Sequence, residues 1–218
     1  VGRGKNLARA AASSGVIEGL EHFVWSSLSA VKERSKGKYT EVRHFDGKAE
    51  VERFVRADPE MLARGLSQKA SFVQLGAYAD NWRVYPHELT REPDTGRIVH
   101  KALGDGRTTF PFLWTRKDTG IFVRKLVEDL EPGKSVLAYS ELISCMEFMA
   151  RFKKILRVNL GGDEGIEELQ SFAYFNEFGY DGGDPEILYP QDIGIENFLI
   201  PLDDYKKQED WSFILGKA

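Results

Sequence analysis

The chain has 218 residues, of which 42% are hydrophobic and 29% charged, a balance typical of a globular protein with its own core. Its formal net charge of −4 argues against direct, sequence-independent binding of nucleic acid, which requires a net basic face. Cys145 is the only cysteine, which excludes an internal disulfide and favours a cytoplasmic or nuclear location. No apolar run approaches the roughly 20 residues of a membrane span, so we expect no membrane contact.

Helix and strand alternate in the predicted elements of the N-terminal third. Residues 5–14 are rich in alanine and predict a helix that Gly15 ends. Consecutive apolar residues over 20–28 indicate a parallel strand covered on both faces. An amphipathic helix is predicted over 47–57, and a second buried strand over 71–75. This alternation favours an α/β fold with a parallel sheet.

The rest of the chain predicts more helix than strand. Helices are expected over 118–130, 141–156 and 165–178, a third strand over 136–139, and a packed tail from residue 196. A parallel strand covered on both faces needs neighbours on both sides, so these few strands predict only the second half of a doubly wound sheet. Because the chain begins with Val1 and not Met, we also expect a processed or truncated N-terminus.

The most informative motif combines two serines with a helical pair. Ser26 and Ser27 end the first predicted strand, and His44 and Lys48 follow, four residues apart. If the helix extends back to His44, both side chains lie on one face. This order copies a reductase active site in which Ser, Tyr and Lys lie beside a nicotinamide, but His44 stands in the position of Tyr. The alternative for Lys48 is an exposed pair with Glu52.

A second group of candidate residues follows the second predicted strand. Gly76, Tyr78 and Asn81 lie at its carboxyl end, where open α/β sheets bind ligands. Gly76 permits close backbone approach and Tyr78 can stack on a ring, although an ordinary loop would also use these residues. Asp46 is expected to cap the helix that follows. We predict no metal site, because three histidines have no partner at metal-ligand spacing, namely His22, His87 and His100.

Together these segments resemble the NmrA-like family, which are atypical members of the short-chain dehydrogenase/reductase superfamily. The resemblance is carried by residues 4–7, 24–28, 37–39, 44–52, 76–81, 118–120 and 177–180, and so covers essentially the whole chain. It implies the C-terminal part of a Rossmann-type doubly wound parallel sheet plus a smaller mixed α/β lobe. Residues 1–82 would form the partial NAD(P)-binding domain. Residues 83–218 would form mostly the substrate or partner lobe, with one strand and one helix returning to the main domain.

The resemblance also implies a cofactor, NADP or NAD, and roles for the candidate residues. Lys48 would bond the nicotinamide ribose, and Ser27, with Ser26 as the alternate, would orient a carbonyl or the nicotinamide amide. The implied cofactor-binding residues are Ser26, Ser27, Lys48, Gly76, Tyr78 and Asn81, and the implied catalytic positions are Ser27, His44 and Lys48. A strand-end hydroxyl that satisfies a backbone group is the alternative for Ser27.

One departure from the family concerns its glycine-rich nucleotide fingerprint. On the usual size of βαβ units, the fingerprint precedes the Ser-Ser strand by roughly 100 residues. Only 25 residues precede Ser26, which argues against dinucleotide binding by this chain alone.

The resemblance favours an NAD(P)(H)-binding redox sensor or transcriptional co-regulator with little or no turnover. Its partners would be a dinucleotide and a regulatory protein such as a transcription factor, and a homodimer stays open. One alternative is an NAD(P)H-dependent reductase of small carbonyls or quinones, with His44 as proton donor. Another is an interaction protein that binds no cofactor.

Overall fold

The computed structural model describes residues 1–84, 89–91, 94, 98–103, 106–151, 155–159 and 165–212. The helices in these residues are α1 (Gly2–Ala11), α2 (Ser14–Ile17), α3 (Val31–Arg34), α4 (Arg43–Ala57), α5 (Pro59–Ala63), α6 (Thr115–Glu128), α7 (Cys145–Arg151), α8 (Ile166–Phe178) and α9 (Leu202–Gln208). The strands are β1 (Phe23–Ser27), β2 (Ala70–Leu75), β3 (Ala77–Tyr78), β4 (Leu89–Arg91), β5 (Ile98–Leu103), β6 (Thr109–Leu113), β7 (Ser135–Ala138), β8 (Glu141–Ser144), β9 (Ile155–Asn159) and β10 (Ile187–Leu188).

The main sheet is parallel and has the strand order β1-β2-β7-β10. Strand β2 lies inside it and is buried along nearly its whole length, because helices cover both faces. Phe72 packs into the apolar cluster that includes Val51 and Phe54 of α4. The next residue, Val73, packs on the opposite face with Phe122 of α6. The predicted α/β fold with a doubly covered parallel sheet is therefore confirmed.

Helix α4 carries the predicted helical pair and begins early enough to include His44. Its buried residues, Phe45, Val51, Phe54 and Val55, recur at helical spacing and hold one face of the helix in the core. The prediction that Asp46 caps this helix is wrong. Val42 occupies the cap position, and Asp46 accepts a hydrogen bond from the backbone nitrogen of Lys32 at 3.0 Å.

Two predicted helices differ from the structure. The first one ends at Ala11, and Gly15 lies inside the short helix α2 and does not terminate α1. The helix expected over 141–156 is wrong as a single element, because β8, α7 and β9 share that range. Strand β8 pairs antiparallel with β6, so a partner about 30 residues away decides its conformation. The main sheet also gains β10, a strand of two residues that the sequence analysis missed.

Two smaller sheets accompany the main one. Their strand orders are β3-β6-β8 and β4-β5-β9, and each combines parallel with antiparallel pairs. The predicted tail packs on the body as far as residue 212, because Tyr205 of α9 is fully buried and Trp211 contacts the same cluster. Residues 213–218 lie outside the described residues. No helix in the described ranges is long and apolar enough to cross a membrane. His87 and the side chain of His100 lie outside the described residues.

Strand β1 is an edge of the main sheet within the part of the chain that the structure describes. It pairs with β2 along its length, from Phe23 with Ala70 to Ser27 with Gln74. Its first four residues are only half-buried, in contrast to the enclosed β2. The candidate site begins at the carboxyl end of β1.

Candidate functional site

Lys48 reaches from α4 to the carboxyl end of β1. Its Nζ lies 3.5 Å from the Ser26 hydroxyl oxygen, and the side chain is half-buried. Among the described residues no carboxylate lies within ion-pair distance of Lys48. The alternative pair with Glu52 does not form, because Glu52 pairs with Arg56 at 2.8 Å. Burial without a counter-charge lowers the pKa of Lys48 from its ordinary value.

The backbone around Lys48 is held against β1 by close packing. The Trp25 indole nitrogen donates to the Lys48 carbonyl oxygen at 3.1 Å, which ties strand to helix. Helix α1 packs on the same pair of elements at Gly4. A Cβ added there would lie 2.7 Å from Val51 Cγ2 and 2.9 Å from the Trp25 ring, so only glycine permits this approach. This packing therefore fixes the position of the backbone from which the Lys48 side chain extends.

The His44 side chain contacts helix α8, whereas that of Lys48 contacts β1. Its Nδ1 lies 2.5 Å from Glu167 Oε1, and the same oxygen accepts the backbone N–H of His44 at 2.9 Å. These hydrogen bonds lower the pKa of the Glu167 carboxyl from its ordinary value. The imidazole itself is 55% exposed. His44 thus contacts Glu167 of α8, whereas Lys48 contacts Ser26 of β1.

Ser27 and Gly76 are enclosed by protein. Ser27 is fully buried, and its hydroxyl makes one long contact of 3.5 Å to the Leu28 carbonyl oxygen. A Cβ at Gly76 would lie 2.0 Å from the Pro111 carbonyl oxygen and 3.0 Å from that of Ala138. The protein's own backbone therefore makes the close approach that requires glycine at position 76.

Tyr78 and Asn81 join His44 around a cavity of about 310 Å³. Tyr78 is 37% exposed, and burial of its remaining surface raises the pKa of its phenol. Most of the other lining side chains are aromatic, namely Phe45, Trp82, Phe110, Phe112, Phe148, Phe172, Phe175, Tyr180 and Trp211. The structure thus brings three candidate residues to this cavity and two others, Ser26 and Lys48, to the edge of β1.

Sequence reasoning missed Glu167 and the aromatic lining. Glu167 lies 123 positions from His44, so no local pattern links them. The lining comes from segments spread between Phe45 and Trp211. An aromatic share of 12% was the only available signal, and it does not say where rings meet. In the described ranges, no cluster of three or more His, Cys, Asp or Glu residues is placed to hold a metal ion.

A model of the NmrA-like family matches residues 1–161 of this chain. The chain belongs to the NmrA-like family. It is similar in structure to NmrA, a negative transcriptional regulator solved with NADP, at 18% identity and a TM-score of 0.65. That match covers 94% of this chain and 68% of NmrA.

Two reductases have the same fold as this NmrA-like chain. Isoflavone reductase matches 86% of the chain and 65% of its own length, at 16% identity and a TM-score of 0.55. Leucoanthocyanidin reductase from Vitis vinifera, solved as a ternary complex, matches 93% of the chain and 72% of its own length, at 16% identity and a TM-score of 0.58. At these identities the likeness concerns the Rossmann-type fold.

Proposed function

We propose that this NmrA-like protein is an NAD(P)(H)-binding redox sensor or transcriptional co-regulator with little or no turnover. The observation that carries the proposal is the Lys48 amine beside the Ser26 hydroxyl at the carboxyl end of β1. Both groups are hydrogen-bond donors suited to ribose hydroxyls. A half-buried amine with no acid partner in the described residues is costly, which favours a ligand as its missing partner.

The position of His44 favours sensing over turnover. A general acid must reach the atom that it protonates, within about 2.6–3.2 Å. His44 lies one helical turn from Lys48 on α4. Its Nδ1 is instead hydrogen-bonded to Glu167 of α8. When bound, the dinucleotide would supply hydride chemistry, and Lys48 and Ser26 would hold its ribose in place. The bound cofactor would then stabilise one arrangement of the partner surface.

Calorimetry of the full-length protein with NADPH tests the proposal. Lys48→Ala is expected to weaken binding about tenfold or more, since a charge-assisted hydrogen bond contributes about 1.5–3 kcal/mol. Lys32→Ala, at an exposed lysine of α3, is the matched control and should leave binding unchanged. Equal loss of affinity in both variants would contradict the role of Lys48 at the ribose, and no binding by the wild type would leave the interaction-protein alternative as the better one.

Turnover distinguishes the sensor from the reductase. NADPH oxidation is measured with a panel of quinones and carbonyls. A rate that His44→Ala and Lys48→Ala both abolish would overturn the sensor proposal.

The second candidate function is an NAD(P)H-dependent reductase, because His44 lines the aromatic cavity beside Tyr78. In this case His44 would donate the proton, and kcat should fall about a hundredfold or more in His44→Phe. A kcat that this variant leaves unchanged would count against the reductase.

A further inference from the structure

A second cavity, of about 600 Å³, lies apart from the candidate residues of α4. It shares Phe175 and Tyr180 with the lining of the aromatic cavity, but no residue of α4, which the structure describes in full, lines it. Its walls come from β6, β8 and α8 and from the segments that follow β7, α8 and β10. The volume falls within the roughly 300–1,000 Å³ of known ligand pockets, so the cavity can hold a small molecule of its own.

Two amide side chains of this second cavity are each held at their oxygen. The hydroxyl of Thr108, a buried residue, donates to Asn176 Oδ1 at 2.6 Å. The Tyr139 hydroxyl donates to Gln191 Oε1 at 3.3 Å. Each amide also has an NH2 group with two donors, and no acceptor among the described residues bonds either nitrogen. The lining thus offers two NH2 groups whose amides are already oriented.

A carboxylate of the same cavity is oriented in the opposite sense, as an acceptor. Asp181 is 8% exposed, and its Oδ2 accepts the Tyr189 hydroxyl at 2.7 Å while its Oδ1 accepts the Gly183 backbone N–H at 3.2 Å. No lysine or arginine of the described segments forms an ion pair with it. An ionised carboxylate has about four lone-pair sites, so each oxygen can accept one more hydrogen bond.

Aromatic rings supply much of the apolar part of the lining, namely Tyr139, Phe175, Tyr180 and Tyr189. The rings of Tyr139 and Tyr189 meet edge to face, with centroids 6.4 Å apart. The Tyr180 hydroxyl donates to the Leu75 carbonyl oxygen at 3.0 Å, which holds its ring in place. A lining that is assembled without ligand loses little entropy on binding.

We propose that the second cavity binds an uncharged polyhydroxylated ring of the size of a pyranose sugar. A hydroxyl both donates and accepts, so neighbouring hydroxyls can donate to Asp181 and accept from Asn176 and Gln191. The C–H faces of such a ring are apolar and pack on the aromatic side chains. An anion would be repelled by the Asp181 carboxylate, and Arg107 in the lining disfavours a cation. The site goes beyond the proposed function, because neither a dinucleotide nor α4 takes part.

Titration of the full-length protein with three methyl pyranosides tests the proposal. The probes are methyl α-D-glucopyranoside, methyl α-D-galactopyranoside and methyl α-D-mannopyranoside, followed by calorimetry and by saturation-transfer NMR. At least one is expected to bind saturably, with a Kd on the order of 1 mM. Cyclohexanol keeps the ring and one hydroxyl, and it should bind about fivefold more weakly or worse, since it cannot donate and accept at neighbouring positions. No saturable binding of any sugar below about 50 mM, or equal binding of cyclohexanol, would overturn the proposal.

Two variants at exposed positions assign the binding to this cavity. Asn176→Ala and Gln191→Ala should each weaken sugar binding about fivefold, because each removes one oriented donor. Asn197→Ala, at an exposed asparagine outside the cavity, is the matched control and should stay within about twofold of wild type. Lys48→Ala should leave sugar binding intact, so failure of the dinucleotide proposal would not be mistaken for failure of this one. Wild-type sugar affinity in both Asn176→Ala and Gln191→Ala, with folding confirmed by circular dichroism, would refute the assignment.

Discussion

Replacing Lys48 with methionine is expected to stabilise the protein without dinucleotide and to weaken its binding of the dinucleotide about tenfold or more. Methionine keeps the apolar stem that packs beside β1 and removes an amine whose one described side-chain contact is Ser26 at 3.5 Å. Because the side chain is half-buried, solvent screens part of the cost of the charge. We expect a gain on the order of 1 kcal/mol, which raises Tm by about 2–4 °C for a chain of this size.

The pH dependence of this gain has a defined sign. Burial lowers the pKa of Lys48 in the folded protein, so the unfolded chain binds more protons between the two pKa values. Wild-type stability therefore rises with pH in that window, and the advantage of Lys48→Met shrinks as pH rises through the folded pKa. Thermal unfolding from neutral to alkaline pH measures this, with Lys32→Met as the exposed control. A variant less stable than wild type at neutral pH would refute the reasoning, because Lys48 would then have a favourable partner within the protein.

Three further predictions concern the support of the site. The Ser29 and Tyr174 hydroxyls lie 2.6 Å apart and both residues are buried, so Ser29→Ala and Tyr174→Phe should each cost about 1–3 kcal/mol in urea unfolding. The double variant should cost less than their sum, and strict additivity would contradict a direct bond. Burial raises the pKa of the Asp118 carboxyl, so the folded state binds more protons and stability falls as pH rises through the folded pKa. Asp118→Asn should therefore be more stable than wild type at neutral pH in thermal scans, with a difference that disappears in acid; a difference independent of pH would argue against this cause. Gly76→Ala should destabilise by about 3 kcal/mol or more, because the added Cβ would lie 2.0 Å from a backbone oxygen. Gly120→Ala, with nothing within 4 Å of the added atom, is its control. Equal stabilities of the two variants would show that the backbone around Gly76 moves to make room for the added Cβ.

The sequence predicted the elements whose patterns are local. Helix α4 has four buried apolar residues at helical spacing, and β1 and β2 are short apolar runs. All three elements could therefore be predicted without knowledge of their partners. Strands β8 and β10 could not, because four and two residues carry no period of their own. Each exists because a neighbouring strand offers hydrogen bonds, and that neighbour is known only once the chain has folded.

The candidate site was predictable in part for the same reason. Spacing placed His44 and Lys48 on one helix face, which is what α4 has. Their contacts with Glu167 and Ser26 depend on other elements, α8 and β1. Gly76 was singled out as a point of close approach, and the neighbour turned out to be the Pro111 carbonyl oxygen. A sequence pattern can thus identify a constrained residue without identifying what constrains it.

Helix α4 has a consequence for the thermodynamics of binding on its two sides. It carries His44 at the aromatic cavity and Lys48 at the carboxyl end of β1, about 6 Å apart along one helical turn. If a carbonyl or quinone binds in that cavity, any factor by which the dinucleotide changes its affinity equals the factor by which it changes the affinity for the dinucleotide. Measuring one of these two factors would therefore give the other.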